Sequence, residues 1–376
     1  MKGLILSITA GQGHNQTAMV LSEHFNKVGI ECKYLDVYKY INPVLSDSVN
    51  RLYLMSTKKI PKIYGGVYRM CEKRNIQADI GMHGIGRLTN SVLSRSLIKL
   101  IRSEEPDFII CTHIFAALLV TYISSIEYIG AKTIGIVTDF TIHPYWEDSL
   151  MDYYITASER LTIQGVKKGF PESKFVPLGI PISTKFCKKL DKQKARKHLG
   201  LPDKRTILVM SGSMGFGNVI SEISELDKLD LDFQIVSICG NNKKLRNKID
   251  KLKLKKAIFN YGFVDNVDIF MDACDCIITK PGGLTTSEAL AKQIPMLINN
   301  PIPGQEDRNV EFLLNAGAAM KISSTTPIDE AVYQLFLDGK QTKNMKASMA
   351  ILAKPNATTD LVEFVQKICN KKFNRK

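Results

Sequence analysis

Three times along this chain a short apolar run stops at a glycine-rich turn and gives way to a helical pattern. The first run is Lys2 to Thr9, ending at Ala10-Gly-Gln-Gly-His14, with an amphipathic helix from about Asn15 to Val28 and a second strand from Glu31 to Asp36. The next is Thr206-Ile-Leu-Val-Met-Ser211, which meets Gly212-Ser-Met-Gly-Phe-Gly217. The third is Cys276-Ile-Ile-Thr279, which meets Pro281-Gly-Gly283. Runs that are apolar throughout suit parallel strands covered on both faces, and strands alternating with helices imply βαβ units. Further strands are expected from Asp107 to Cys111, Lys132 to Thr138, Tyr153 to Thr156, Phe233 to Cys239, Ala257 to Tyr261, Pro295 to Asn299 and Ala318 to Ile322. No long-period repeat accompanies them. The expected architecture is α/β: two Rossmann-like domains facing across a cleft, over residues 1–180 and 181–360, then an amphipathic, basic tail over 361–376. The linker falls near Gly179-Ile-Pro-Ile-Ser183. Ligands of such sheets bind beyond the carboxyl ends of the strands, so the glycine turns should line the site. The N-terminal turn lacks the third glycine of the dinucleotide fingerprint, which weakens a nicotinamide-cofactor reading.

A chain of 376 residues exceeds one ordinary core, and 44% hydrophobic with 23% charged residues is the balance of a soluble globular protein. Eight cysteines without a Cys-x-x-Cys pair or zinc spacing point to a reducing compartment. A strand directly at the N-terminus leaves no room for a signal peptide, so a cytosolic chain is expected. The apolar run over residues 108–126 tempts a membrane-span reading. Its β-rich first half and the Thr112-His113 break favour a buried strand turning into a buried helix.

The net charge of +14 is unevenly placed. Residues 51–102 hold eleven Lys or Arg against Glu72 and Asp79. Arg51, Lys58, Lys59, Lys62 and Arg69 there interleave with Tyr53, Tyr64 and Tyr68. Basic charge mixed with aromatic and aliphatic residues suits an anionic membrane surface better than nucleic acid; the alternative is a solvated helical face. No RNA-binding signature is present.

The richest stretch is Thr279-Lys-Pro-Gly-Gly-Leu-Thr-Thr-Ser-Glu-Ala-Leu290, followed by Pro301-Ile-Pro-Gly-Gln-Glu-Asp-Arg-Asn309. Thr285 and Thr286 read as N-caps, with Glu288 in the first turn. Backbone N–H groups at a positive helix end suit a phosphate. Glu288 lies too deep to favour an anion, and a carboxylate beside a phosphate cradle commonly takes ribose hydroxyls. The amide and carboxylate of Pro303-Gly-Gln-Glu306, beside Arg308 and Asn309, suit sugar hydroxyls. The alternative is a tight βαβ turn whose glycines only permit packing.

His14, after a glycine turn at a strand end, can take a proton from a hydroxyl, bind a phosphate or merely cap its helix. His113 sits at another strand end, with a buried structural role as its alternative. In Val137-Thr-Asp-Phe-Thr-Ile-His-Pro-Tyr-Trp146, Asp139 is a candidate base, an orienter of a base histidine or a fold residue. Trp146, the only tryptophan, is expected to stack on a sugar, touch lipid or sit in the core. Gly212 to Gly217 offers a second phosphate nest, and Phe263 a face for a flat base. Asp230-Leu-Asp232 matches a metal motif by chance, and no metal is expected to be required. Walker A, His-Glu-x-x-His and Gly-x-Ser-x-Gly sequences are absent.

Four of these segments together carry a family resemblance: Ala10-Gly-Gln-Gly-His14, Val137-Thr-Asp-Phe…His143…Trp146, Thr279-Lys-Pro-Gly-Gly283…Ser287-Glu288-Ala289, and Pro303-Gly-Gln-Glu306…Asn309. Over nearly its whole length the chain resembles the monogalactosyldiacylglycerol synthases and bacterial processive diacylglycerol glucosyltransferases, relatives of the enzyme that adds N-acetylglucosamine to lipid I. The resemblance implies a GT-B fold and inverting transfer of glucose or galactose from a UDP-sugar to diacylglycerol, at the inner face of the cell membrane. It implies no cofactor beyond the UDP-sugar substrate. By position, Glu288 binds ribose, and Gly283, Leu284 and Thr285 bind the diphosphate; Gly282, and Gly212, Ser213 and Gly215 of the second nest, are further donor-binding candidates. Phe263 lies at the uracil side, and Gln305, Glu306 and Asn309 at the sugar. The basic stretch and Gly13, His143 and Trp146 lie on the acceptor and membrane side, with His14 or Asp139 as base. Relatives often have an all-glycine first turn, where this chain has Gln12. N-acetylglucosaminyl transfer to a polyprenyl-linked acceptor, nucleotide-sugar epimerisation and non-catalytic UDP-sugar sensing are the alternatives.

Overall fold

A computed structural model of the chain describes residues 1–9, 13–43, 46–47, 93–210 and 218–373. The chain divides into two compact units, one of residues 1–183, 303–305 and 356–376, the other of residues 184–302 and 306–355.

The first unit is built on a six-stranded sheet in the order β2-β1-β3-β4-β5-β6. The strands are β1 (Lys2–Ser7), β2 (Glu31–Asp36), β3 (Phe108–Cys111), β4 (Lys132–Ile136), β5 (Tyr153–Ile155) and β6 (Phe175–Val176). Every pairing is parallel, with Ile5 opposite Ile110 across β1 and β3 and Ile110 opposite Ile134 across β3 and β4. That register stacks the apolar side chains into one layer. Ile5, Phe108, Ile110, Ile134, Ile136 and Ile155 pack there with Leu21 and Phe25 of the Gly13–Lys27 helix.

The amphipathic segment at the end of the chain completes this layer. It forms the Ala357–Phe373 helix, whose Leu361 and Val365 are fully buried in the first unit's core. Phe364 meets Tyr153 edge to face at 5.1 Å. Each buried Leu or Val side chain contributes about 1.5–3 kcal/mol, so this helix is integral to the unit.

The apolar run over residues 108–126 is the buried strand β3 followed by the Ile114–Ile126 helix. His113 caps that helix, its Nδ1 accepting from the Phe115 N–H at 3.2 Å. Among the described residues no helix is long and apolar enough to cross a membrane.

The second unit repeats the design with the order β12-β11-β10-β7-β8-β9. Its strands are β7 (Thr206–Met210), β8 (Gln234–Ile238), β9 (Ile258–Tyr261), β10 (Cys276–Thr279), β11 (Met296–Ile298) and β12 (Ala319–Lys321), again all parallel. In both sheets the chain order reverses beside the opening strand, between β1 and β3 and between β7 and β10. A crevice at the carboxyl end of the sheet is expected at each reversal.

Candidate functional site

In the first unit the reversal brings the loop after β1 against the loop after β3. Asn15 secures the first loop: its Oδ1 accepts from Ser7 Oγ at 2.6 Å and its Nδ2 donates to Thr9 Oγ1 at 2.7 Å. Thr9 in turn donates its N–H to Asp36 Oδ2 at 2.9 Å. Gly13 opens the helix, and His14 follows in its first turn. Ala10, Gly11 and Gln12 lie outside the described residues.

His14 Nδ1 stands 2.8 Å from the Thr112 carbonyl and 3.0 Å from Thr138 Oγ1. A carbonyl only accepts, so Nδ1 carries the proton and Nε2 is left as the acceptor, the tautomer a general base needs. Burial pulls the His14 imidazole below its ordinary 6.5, while the Asp139 carboxylate and the Thr112 carbonyl act in the opposite direction.

The His113 ring packs edge-on against His14 with centroids 4.5 Å apart. Burial, then the His14 and His143 neighbours, hold His113 well below 6.5 and therefore neutral. With Nδ1 accepting at the helix cap, its proton sits on Nε2. His143 caps the next turn, its Nδ1 accepting from the Tyr145 N–H at 3.1 Å. Tyr145 lies 6.2 Å from the Phe115 ring. Three imidazoles and two aromatic rings thus gather at one edge of the sheet.

Trp146 does not join them as an exposed face. It is 5% exposed, set edge to face on Tyr154 at 5.9 Å. A Cβ placed on Gly135 of β4 would lie 2.7 Å from its Cζ3, so the indole occupies room that only glycine leaves. Of the roles expected for Trp146, the core role holds; contact with sugar or lipid is corrected by its burial.

In the second unit the turn after β10 leads into the Gly283–Lys292 helix, with Gly282 as N-cap. The first helical bond runs from the Thr286 N–H to the Gly282 carbonyl at 2.9 Å. The N–H groups of Gly283, Leu284 and Thr285 therefore form the donor end of the helix. This corrects the expected caps: Thr285 is the third helical residue, Thr286 is fully buried, and Glu288 falls in the second turn.

Glu288 is half-buried, and burial pushes its carboxyl up to about 8, with Lys185 opposing and Asp268 adding to the effect. Glu306 is only 5% exposed. Its Oε1 pairs with Lys280 Nζ at 2.6 Å and its Oε2 accepts from the Ile302 N–H at 2.7 Å. Asn309, fully buried, donates from Nδ2 to the Pro281 carbonyl at 2.9 Å. Glu306 and Asn309 thus hold the glycine turn from beneath. Gln305 opens the Gln305–Asn315 helix. Phe263, beyond edge strand β9, is 70% exposed.

Glu222 was not among the expected site residues. It lies in the Val219–Lys228 helix that follows β7, and its Oε1 accepts from Asn299 Nδ2 at 2.7 Å and Asn300 Nδ2 at 2.9 Å. It joins that helix to the loop after β11, with partners 77 and 78 positions away in sequence. Burial raises its carboxyl to about 7, with the two amides opposing. Asp232 of the Asp-Leu-Asp run is exposed and ion-pairs with Lys204. Gly212, Ser213 and Gly215 lie outside the described residues, as do Arg51, Tyr53, Lys58, Lys59, Lys62, Tyr64, Tyr68 and Arg69.

Both units match known families. Residues 14–182 match the monogalactosyldiacylglycerol (MGDG) synthase family, and residues 206–362 the glycosyltransferase family 28 C-terminal domain. The chain is 32% identical to a protein of Bacillus pumilus named processive diacylglycerol beta-glucosyltransferase, over 96% of this chain and 94% of that one. Among solved structures it is similar to Acinetobacter baumannii MurG, with TM-score 0.64, 16% identity, and coverage of 97% of this chain and 99% of that one. It is also similar to Anabaena Alr3699/HepE in complex with UDP, with TM-score 0.58, 13% identity, and coverage of 98% and 100%. At such identities these structures establish the fold, two Rossmann-like domains of the GT-B kind. The near full-length relative and the two matched segments establish the family: the chain belongs to the monogalactosyldiacylglycerol synthase and processive diacylglycerol glucosyltransferase family.

Proposed function

We propose that the chain transfers glucose from UDP-glucose to the hydroxyl of diacylglycerol with inversion, giving a β-glucosyl diacylglycerol. The observation that carries this reading is His14, whose Nδ1 is committed to the Thr112 carbonyl at 2.8 Å and whose Nε2 is left to accept a proton. In the proposed step Nε2 takes the proton of the acceptor hydroxyl as its oxygen bonds the anomeric carbon. The bond from that carbon to the diphosphate breaks, and UDP leaves as an anion. The N–H groups of Gly283, Leu284 and Thr285 receive the departing charge, a role open to a helix end without a metal ion. Glu288 takes the ribose hydroxyls, Phe263 flanks the uracil and Gln305 lies at the sugar, while Glu306, bound to Lys280 and the Ile302 N–H, holds the turn beneath the donor. Gly212, Ser213 and Gly215 complete the phosphate contacts in this reading. Asp139 assists His14 through its charge.

A lipid acceptor has to be met at the bilayer surface. The basic, tyrosine-bearing stretch from Arg51 to Arg69 is the segment we assign to docking on anionic lipid, at the inner face of the cell membrane. Gly13 and His143 belong to the acceptor side.

The test is glycolipid formation by purified protein, with diacylglycerol in anionic vesicles and labelled UDP-glucose, UDP-galactose or UDP-N-acetylglucosamine offered separately. A labelled glycolipid from UDP-glucose is expected, and products of increasing polarity would mark successive additions. UDP affinity should fall at least tenfold in Glu288→Ala. No product from any donor overturns the transfer reading, and unchanged UDP affinity overturns the site.

A further inference from the structure

The N-terminal edge of the second sheet carries a basic hollow that the proposed reaction does not use. A cavity of about 190 Å³ is lined by Lys189, Lys192, Lys292 and Lys346 and by one carboxylate, Asp272, against the residues that precede β10 and β11. A wider hollow of about 470 Å³ shares Lys192 and Lys346 with it and adds Arg205, just before β7, together with Asp275 and with Asp338, which pairs with Lys340 at 3.5 Å. All strands of this sheet are parallel, so this edge and the glycine turn after β10 lie at opposite ends of the strands. Four or five strand residues separate them, on the order of 15 Å.

Most of the charge at this edge is matched. Lys292 pairs with Asp272 at 2.6 Å, both side chains being almost completely buried. Lys192 pairs with Asp275 at 2.5 Å. Asp275 is fully committed, since it also pairs with Arg196 at 2.8 Å and accepts from the Thr206 N–H at 2.7 Å. Lys189 reaches an amide oxygen, Gln293 Oε1, at 2.6 Å. Lys346, half-buried on the Lys340–Leu352 helix, has no ion-pairing carboxylate among the described residues. Burial and Lys192 depress its ammonium; Asp275 opposes this and Lys189 adds to it. An ammonium held in a hollow between other ammonium groups is a cost that a bound anion removes.

We propose that this hollow is a second anion site, taking a phosphate group between Lys346, Lys192 and Lys189, separate from the candidate donor site. Its compact volume and multiple ammonium donors suit a phosphate or pyrophosphate group, borne by a soluble ion or by a lipid headgroup.

Binding is measured on the full chain in two arms, both with saturating UDP present. One arm titrates inorganic pyrophosphate by calorimetry. The other follows flotation with phosphatidylcholine vesicles containing one-fifth phosphatidylglycerol. Expected is binding in at least one arm that weakens at least tenfold in Lys346→Ala and is regained in Lys346→Arg. Lys346→Ala should leave UDP affinity unchanged, which also verifies folding. Because the Arg51 to Arg69 stretch is itself assigned to anionic lipid, only binding that depends on Lys346 counts in the vesicle arm; absence of Lys346-dependent binding in both arms overturns the proposal.

Discussion

Replacing Glu222 by Gln isolates the cost of burying one carboxylate. Glu222 is 9% exposed, and among the described residues its ionised form is held by two side-chain amides. Burial raises its carboxyl from an ordinary 4.5 to about 7, so the folded chain retains a proton that the unfolded chain has released. The associated stability is present in full below pH 4.5 and is lost as pH rises to about 7. A displacement of this size corresponds to about 3 kcal/mol. Gln keeps an acceptor for Asn299 and Asn300 and has no proton to lose. Its second amide hydrogen can lack a partner, which shifts its stability by about 1–3 kcal/mol at every pH equally. The informative quantity is therefore the slope. Urea midpoints of both proteins at pH 5, 6, 7 and 8 should show Glu222→Gln gaining on the natural chain by about 2.5 kcal/mol across the series, with most of the gain before pH 7. Contributions from Glu288 and the histidines cancel in the difference. Parallel curves would refute the reasoning, because they would mean that Glu222 ionises inside the fold at no cost.

His14 and Gly135 offer further tests. As the base, His14 has to be neutral, and its pKa lies below the ordinary 6.5, so turnover should fall only on the acid side of that value. His14→Ala should lower turnover by about 10²–10⁴-fold with UDP affinity unchanged. Retention of normal turnover, or of the same acid limb, would remove it as base. Gly135→Ala drives a methyl group into the Trp146 ring and should cost about 1–3 kcal/mol by denaturant midpoint. Since Trp146 is the only tryptophan, its emission should shift as well; an unchanged midpoint and spectrum would contradict its burial against β4.

The strands were legible because parallel strands covered on both faces spell continuous apolar runs, and those runs end where the structure ends them to within a residue or two. β6 was not legible, for two residues, Phe175 and Val176, carry no period. The start of the Gly283–Lys292 helix was misplaced because its cap is Gly282, which has no side chain to announce it, whereas the threonines that follow attract the assignment. The candidate site was legible where chemistry is local, as in the glycine turns and the histidines after strands. It was not legible where it depends on partners far off in sequence. Thr112 meets His14 from 98 positions away. Trp146 owes its burial to the missing side chain of Gly135, and the Glu222 carboxylate finds its amide donors in Asn299 and Asn300, 77 and 78 positions away.

The return of the last helix to the first unit governs how this protein can be made. The ribosome releases residues 1–183 long before residues 357–373, yet Phe25 and Phe108 share their core layer with Leu361 and Val365. While the second unit is being synthesised, the first carries an uncovered apolar face that only the end of the chain closes. A stop codon near residue 355 therefore removes part of the first unit's core rather than an appendage, and it strands the nascent chain in a state prone to aggregation.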